Sequence, residues 1–122
     1  MTGQTVAVLG ASANPERYSN KAVRRLKEAG HHVIPVNPAL SEIEGLAVAK
    51  SLGAIEDPVD TLTLYVGPER LAAMTEDIVH LAPKRVIFNP GTESPELAAA
   101  LDGAGIPHIE ACTLVMLQTG QF

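Results

Sequence analysis

Short apolar runs separated by stretches of helical periodicity repeat along almost the whole chain, and this alternation limits the fold more than any other feature. Thr5-Val6-Ala7-Val8-Leu9-Gly10 is continuously apolar and ends in glycine, the pattern of a strand buried on both faces of a parallel sheet. Ser19 or Asn20 is placed to cap a following helix with apolar positions Ala22, Val23, Leu26 and Ala29, and Gly30 to stop it. His32 to Val36 reads as a second strand closed by Asn37-Pro38. From Ala39 to about Asp60 the pattern is irregular, with a short strand or turn around Leu46-Ala47-Val48 and no long helix. Thr61 to Val66 is a third strand. Gly67-Pro68-Glu69 then opens a helix, with proline at its first position and an apolar stripe of Leu71, Met74, Ile78 and Leu81. Arg85 to Phe88 is a fourth strand, and Ser94-Pro95-Glu96 starts a helix that buries Leu97, Ala98 and Leu101. Ile106 to Glu110 is a fifth strand, followed by a short helix from Thr113 to about Thr119.

Strands that alternate with helices in this way form βαβ units with right-handed crossovers. The expected fold is therefore α/β: a Rossmann-like, doubly wound parallel sheet of about five strands with helices on both faces. The 122 residues amount to one domain's worth of chain, so residues 1–122 are expected to form a single domain. With aromatics at 3% and no tryptophan, the core must be built from Val, Leu, Ile and Ala.

A formal net charge of -5 argues against nucleic acid or an anionic membrane as the main partner. The cations nevertheless cluster: Arg17, Lys21, Arg24, Arg25 and Lys27 fall within eleven positions, enough for one small polyanion or simply a solvated helix face. Cys112 is the lone cysteine, so no internal disulfide forms. The start, Met1-Thr2-Gly3-Gln4, has no charged or apolar leader, and no apolar run approaches the ~20 residues of a membrane span. A cytoplasmic location is the expectation. The four histidines are scattered and match no metal-ligand spacing.

In doubly wound sheets ligands bind beyond the carboxyl ends of the strands. The loops there are Gly10-Ala11-Ser12-Ala13-Asn14-Pro15, Val36-Asn37-Pro38, Val66-Gly67-Pro68, Asn89-Pro90-Gly91-Thr92 and Ala111-Cys112-Thr113, all of small, short polar or cyclic residues. The first offers backbone N–H groups at a helix start, a Ser12 hydroxyl, and charge from Arg17 or Lys21 for a phosphate. Only Gly10 of the Gly-x-Gly-x-x-Gly spacing is in place, so an ordinary strand-helix turn is the plainer alternative. The second strand ends in Val36-Asn37-Pro38 rather than the acid that holds an NAD ribose, which is compatible with NADP or coenzyme A. Cys112 is either a packed small hydrophobe or a thiol that contacts a pantetheine arm, with a helix start beside it favouring reactivity. Ser12 has no histidine near it in sequence and no Gly-x-Ser-x-Gly elbow is present. Glu93 and Glu110 read as caps or solvated side chains rather than general bases.

Taken together, the loops resemble the stand-alone coenzyme A-binding proteins, small relatives of the CoA-binding domain in the α subunit of succinyl-CoA synthetase. The likeness runs from about Val6 to Val115. It is carried by Val8-Leu9-Gly10-Ala11-Ser12 with Asn14-Pro15 and Arg17, by Gly30-His31-His32-Val33-Ile34-Pro35-Val36-Asn37-Pro38, and by Gly45, Ser51-Leu52, Val59-Asp60, Asn89-Pro90-Gly91 and Ala111-Cys112-Thr113. The resemblance implies CoA or acyl-CoA as ligand and no established catalysis. It implies that Gly10, Ala11, Ser12 and Arg17 hold phosphates, that Asn37, Pro38, Val66 and Pro68 border the adenosine, and that Cys112 faces the site. Where many members carry Trp-x-Gln-x-Gly, this chain has Phe88-Asn89-Pro90-Gly91, which keeps a glycine but lacks the glutamine. The expected function is a non-catalytic CoA-binding module, partnered by a CoA-using enzyme. The alternative is a small NADP- or acyl-CoA-dependent enzyme or redox protein using Cys112. The apolar stretch Leu114 to Leu117 either caps the core or makes a homodimer contact.

Overall fold

The protein is described by a computed structural model, in which residues 3–122 are described; Met1 and Thr2 lie outside them. The elements in order are β1 (Thr5–Leu9), α1 (Tyr18–Glu28), β2 (His32–Val36), β3 (Glu42–Ile43), β4 (Leu46–Ala47), a 3-10 turn (Leu52–Ala54), β5 (Thr61–Leu64), α2 (Pro68–Leu81), β6 (Arg85–Phe88), α3 (Pro95–Gly103), β7 (His108–Glu110) and α4 (Thr113–Gln118). Five strands form one all-parallel sheet in the order β2-β1-β5-β6-β7. The α/β, Rossmann-like expectation holds. The chain leaves β1 toward β2 on one side and reaches β5 on the other, so winding reverses between β1 and β5. That reversal opens a crevice at the carboxyl ends of those two strands.

Two apolar layers sandwich the sheet. On one face Val6, Val8, Val23, Leu26 and Val33 pack beneath α1, joined by Ile43 and, partly buried, Leu117 and Phe122. On the other, Leu62, Leu64, Leu71, Ile78, Leu97 and Leu101 pack beneath α2 and α3. Every residue of β5 is buried, as a central parallel strand requires.

Several local expectations change. Ser19 and Asn20 do not cap α1. Arg17 occupies the cap position without a side-chain hydrogen bond, and Ser19 and Asn20 are buried in the first turn. Burial decides this, because Asn20 is spent on tertiary contacts. Its Nδ2 donates to the Ser12 carbonyl (2.9 Å) and to Glu44 Oε2 (3.1 Å), while its Oδ1 accepts from Arg24 Nε (2.8 Å). Gly30 does stop the helix, at φ +90°. The stretch around Leu46 is the return strand of a two-stranded hairpin, braced by Lys27 Nζ donating to the Glu44 carbonyl at 2.8 Å. Met116 is buried and Leu117 packs beneath α1, whereas Val115 is exposed, so most of the apolar C-terminal stretch covers the core. Among the described residues no helix is long and apolar enough to cross a membrane.

Candidate functional site

The turn after β1 sets the site. Gly10 has φ +86°, and a Cβ there would sit 2.8 Å from the Tyr65 carbonyl and from Val66 Cγ2, so only glycine lets β1 run so close to the end of β5. The Gly10 and Ala11 N–H groups both donate to the Val36 carbonyl, at 3.3 and 3.2 Å, tying the turn to the end of β2. They are therefore not free for an anion, contrary to the simplest view of such a loop. Ser12 Oγ accepts from Asn14 N at 3.0 Å, and Asn14 Oδ1 accepts from Glu16 N at 3.0 Å, so Asn14 shapes the loop from within. The available donors lie farther on. Among the described residues the N–H groups of Ser12 and Ala13 have no acceptor, and those of Tyr18, Ser19 and Asn20 open the uncapped helix α1. No acid occupies that first turn, while Arg25 and Lys27 occupy the last, so no carboxylate of the helix's own offsets its positive end.

Above this turn lies a cleft of about 560 Å³ lined by Gly10, Ala11, Ser12, Arg17, Asn37 and Pro38, together with Glu16, Tyr18, Ser19, Tyr65 and Arg70. Beside it, sharing Gly10, Pro38 and Arg70, is a niche of about 120 Å³ with Leu9, Val36, Leu52 and Val66 among its walls. The two span the carboxyl ends of β1, β2 and β5. Asn37 holds the wall rather than presenting its amide: Nδ2 donates to the Ala11 carbonyl at 2.9 Å, and Oδ1 accepts from the Ala39 and Leu40 N–H groups.

Other candidates lie elsewhere. Lys21 does not line either space, and its Nζ sits 5.3 Å from the centre of the Tyr18 ring. Pro68 opens α2 outside both. Asn89 is buried and fully engaged: Nδ2 donates to Thr63 Oγ1 (2.6 Å) and the Leu64 carbonyl (2.8 Å), and Oδ1 accepts from Thr113 N (2.9 Å). It thus fastens α4 to the sheet. Gly91 is exposed, and its N–H donates to the Glu93 carboxylate at 3.0 Å within the loop, while the cap of α3 is Ser94, whose side chain accepts from Leu97 N. Cys112 is half-buried at the start of α4 and does not line the cleft.

Tyr65, Tyr18, Glu16, Arg70, Lys50 and Ser51 line the site without having been singled out for it. The available signal was position: Tyr65 directly follows β5, and Arg70 lies in the first turn of α2. The Tyr65 hydroxyl is buried without a hydrogen-bond partner. Burial pushes its phenol up to about 12, with the nearby Thr113 and Thr63 hydroxyls opposing the rise and Cys112 adding to it. Those two threonines instead bond each other at 2.8 Å. Tyr65 is therefore neutral near pH 7 and presents an uncharged wall.

The profile of a CoA binding domain family matches residues 4–118. YneT of Bacillus subtilis, a protein of uncharacterised function, is 32% identical over 74 residues, which is 61% of this chain and 55% of YneT. The α subunit of acetate–CoA ligase (ADP-forming) II from Pyrococcus furiosus is 35% identical over 71 residues, 57% of this chain but 15% of that subunit. A solved structure from Thermus thermophilus superposes with a TM-score of 0.90 at 34% identity, over 98% of this chain and 91% of the other. The matched stretch thus spans little more than half of the first of these curated relatives and a small part of the second.

Proposed function

The chain belongs to the CoA binding domain family, and on that premise we propose that it is a coenzyme A-binding protein without catalysis of its own. The pyrophosphate sits on the turn after β1 and the start of α1, and the adenosine lies against Pro38 at the end of β2. One observation carries this: a cleft over the winding reversal meets an uncapped helix start beside Arg17. The residues present fit the group. Free N–H donors and a guanidinium suit a pyrophosphate, and the apolar walls of Val36, Leu52 and Val66 suit a purine. Glu16 is the carboxylate that opposes an anion in the larger cleft, but it is exposed and solvent screens it. The protein serves as a carrier or sensor that works beside a CoA-using enzyme.

Isothermal titration with CoA, NAD and NADP tests this. Micromolar binding of CoA, with NAD much weaker, is the expected result. Binding of NADP with none of CoA overturns it. A Cys112→Ser variant keeps its CoA affinity if the chain is a binding module, whereas a thiol-dependent activity would vanish in it.

A further inference from the structure

CoA carries two separate anionic groups, the pyrophosphate and the ribose 3′-phosphate, and the cations of this chain are divided in a corresponding way. The cluster on α1 is mostly occupied within the fold. Arg24 donates to Asn20 Oδ1 and the Pro15 carbonyl, Lys27 to the Glu44 carbonyl, and Lys21 lies over Tyr18. Of that cluster, Arg17 is the member that lines the larger cleft.

On the far side of Gly10 and Pro38, a second pair of cations borders the smaller niche: Lys50, before the 3-10 turn, and Arg70, in the first turn of α2. Both are exposed, and among the described residues neither side chain forms an ion pair or a hydrogen bond. Arg70 borders both spaces. Ser51 lines the niche with them, and its side chain makes no cap bond to the 3-10 turn it precedes. Asp77 is the carboxylate on the same wall; two cations against one acid leave the mouth positive while its floor is apolar.

We infer that Lys50 and Arg70 form a second phosphate site at the mouth of this niche and take the ribose 3′-phosphate of CoA. The inference deepens the CoA assignment above and rests on it. An arginine fork and a mobile ammonium on either side of a phosphate grip it as a bidentate partner and a point charge. They make the difference between CoA and its 3′-dephospho form, whereas Arg17 and the α1 start serve both ligands equally.

The test is titration of the unaltered chain and of Lys50→Gln, Arg70→Gln and the double variant with CoA and with 3′-dephospho-CoA. The unaltered chain is expected to prefer CoA by about tenfold or more. Lys50, which lines the niche alone, gives the clean reading: Lys50→Gln should lower CoA affinity several-fold while leaving 3′-dephospho-CoA unchanged. Arg70→Gln, on both spaces, should weaken both ligands but CoA by about tenfold more, and the double variant should erase the preference. The preference should also shrink as salt is raised. Both side chains are exposed, so thermal unfolding of the variants should match that of the unaltered chain. CoA binding with its preference intact in the double variant overturns the 3′-phosphate assignment alone, as does an unaltered chain that binds both ligands equally. Binding of neither ligand by the unaltered chain overturns the CoA assignment itself.

Discussion

Gly10 stands where β1 passes nearest to the end of β5, and its replacement by alanine meets two obstacles at once. The left-handed backbone costs an L-residue about 1–2 kcal/mol, and the new methyl group has the Tyr65 carbonyl 2.8 Å away. Gly10→Ala is therefore expected to lose about 2 kcal/mol or more in urea unfolding and to deform the cleft, weakening CoA binding as well. Asn89 carries a different kind of weight. Asn89→Leu strands the Thr113 N–H and the Leu64 carbonyl in a buried place, and about 2–4 kcal/mol of stability should disappear. Tyr65→Phe works the other way. It removes a buried hydroxyl that has no partner, so the ligand-free protein should gain up to about 1 kcal/mol. A loss of stability in that variant would mean the hydroxyl is bonded. Asn89 also shows how a residue at the right address for a ligand is diverted. Its place after a strand end is readable in the sequence, but that its amide is used up on three partners across the sheet is a tertiary fact.

At the scale of elements, the two ends of the sheet do different things. The carboxyl ends make the cleft, and the amino ends are tied down by titratable groups. Asp60 accepts from Thr5 N at 2.8 Å and pairs with Lys84 at 3.1 Å; these contacts, the backbone donor foremost, hold its carboxyl below the usual 3.8. His31 Nδ1 accepts from Gln4 N at 3.0 Å, and burial, with Arg85 next, holds its ring below the usual 6.5. Both shifts mean that the unfolded chain binds protons more readily, so both make stability fall as pH falls. The His31 part is complete above pH 6.5 and is lost below it, and the Asp60 part is complete above 3.8 and is lost as pH drops through its lower folded value. Urea midpoints followed from neutral to acid pH should decline in those two windows, and Asp60→Asn should flatten the second. The strands were legible because a parallel strand buried on both faces is an unbroken apolar run, as in β1 and β5. The hairpin was legible only as a turn, since strands of two residues leave no period to read. The start of α1 was misplaced because Ser19 and Asn20 have the chemistry of caps, and what their side chains bond to is set by Ser12, Arg24 and Glu44.

For the molecule as a whole, the net charge of -5 coexists with a crevice where Arg17, Lys50 and Arg70 outnumber Glu16 and Asp77. The same division places Glu16 where it resists the ligand, so Glu16→Gln should tighten CoA binding a few-fold at low salt. Saturating CoA should also raise the unfolding temperature, since a ligand at 100 times its Kd adds about 2.7 kcal/mol to the folded state. The site was partly legible: Gly10, Ser12, Arg17 and Pro38 follow from the rule about strand ends, whereas Tyr65 and Arg70 reach the cleft only once β5 lies beside β1. The most direct test of where CoA is held is an amide-resolved NMR titration of the protein with CoA. Shifts centred on Ser12, Ala13, Tyr18, Ser19 and the residues flanking Pro38, with Lys50 to Leu52, Val66 and Arg70 beside them, are the predicted result. Shifts centred on the outer faces of α2 and α3, with the turn after β1 unmoved, would contradict it.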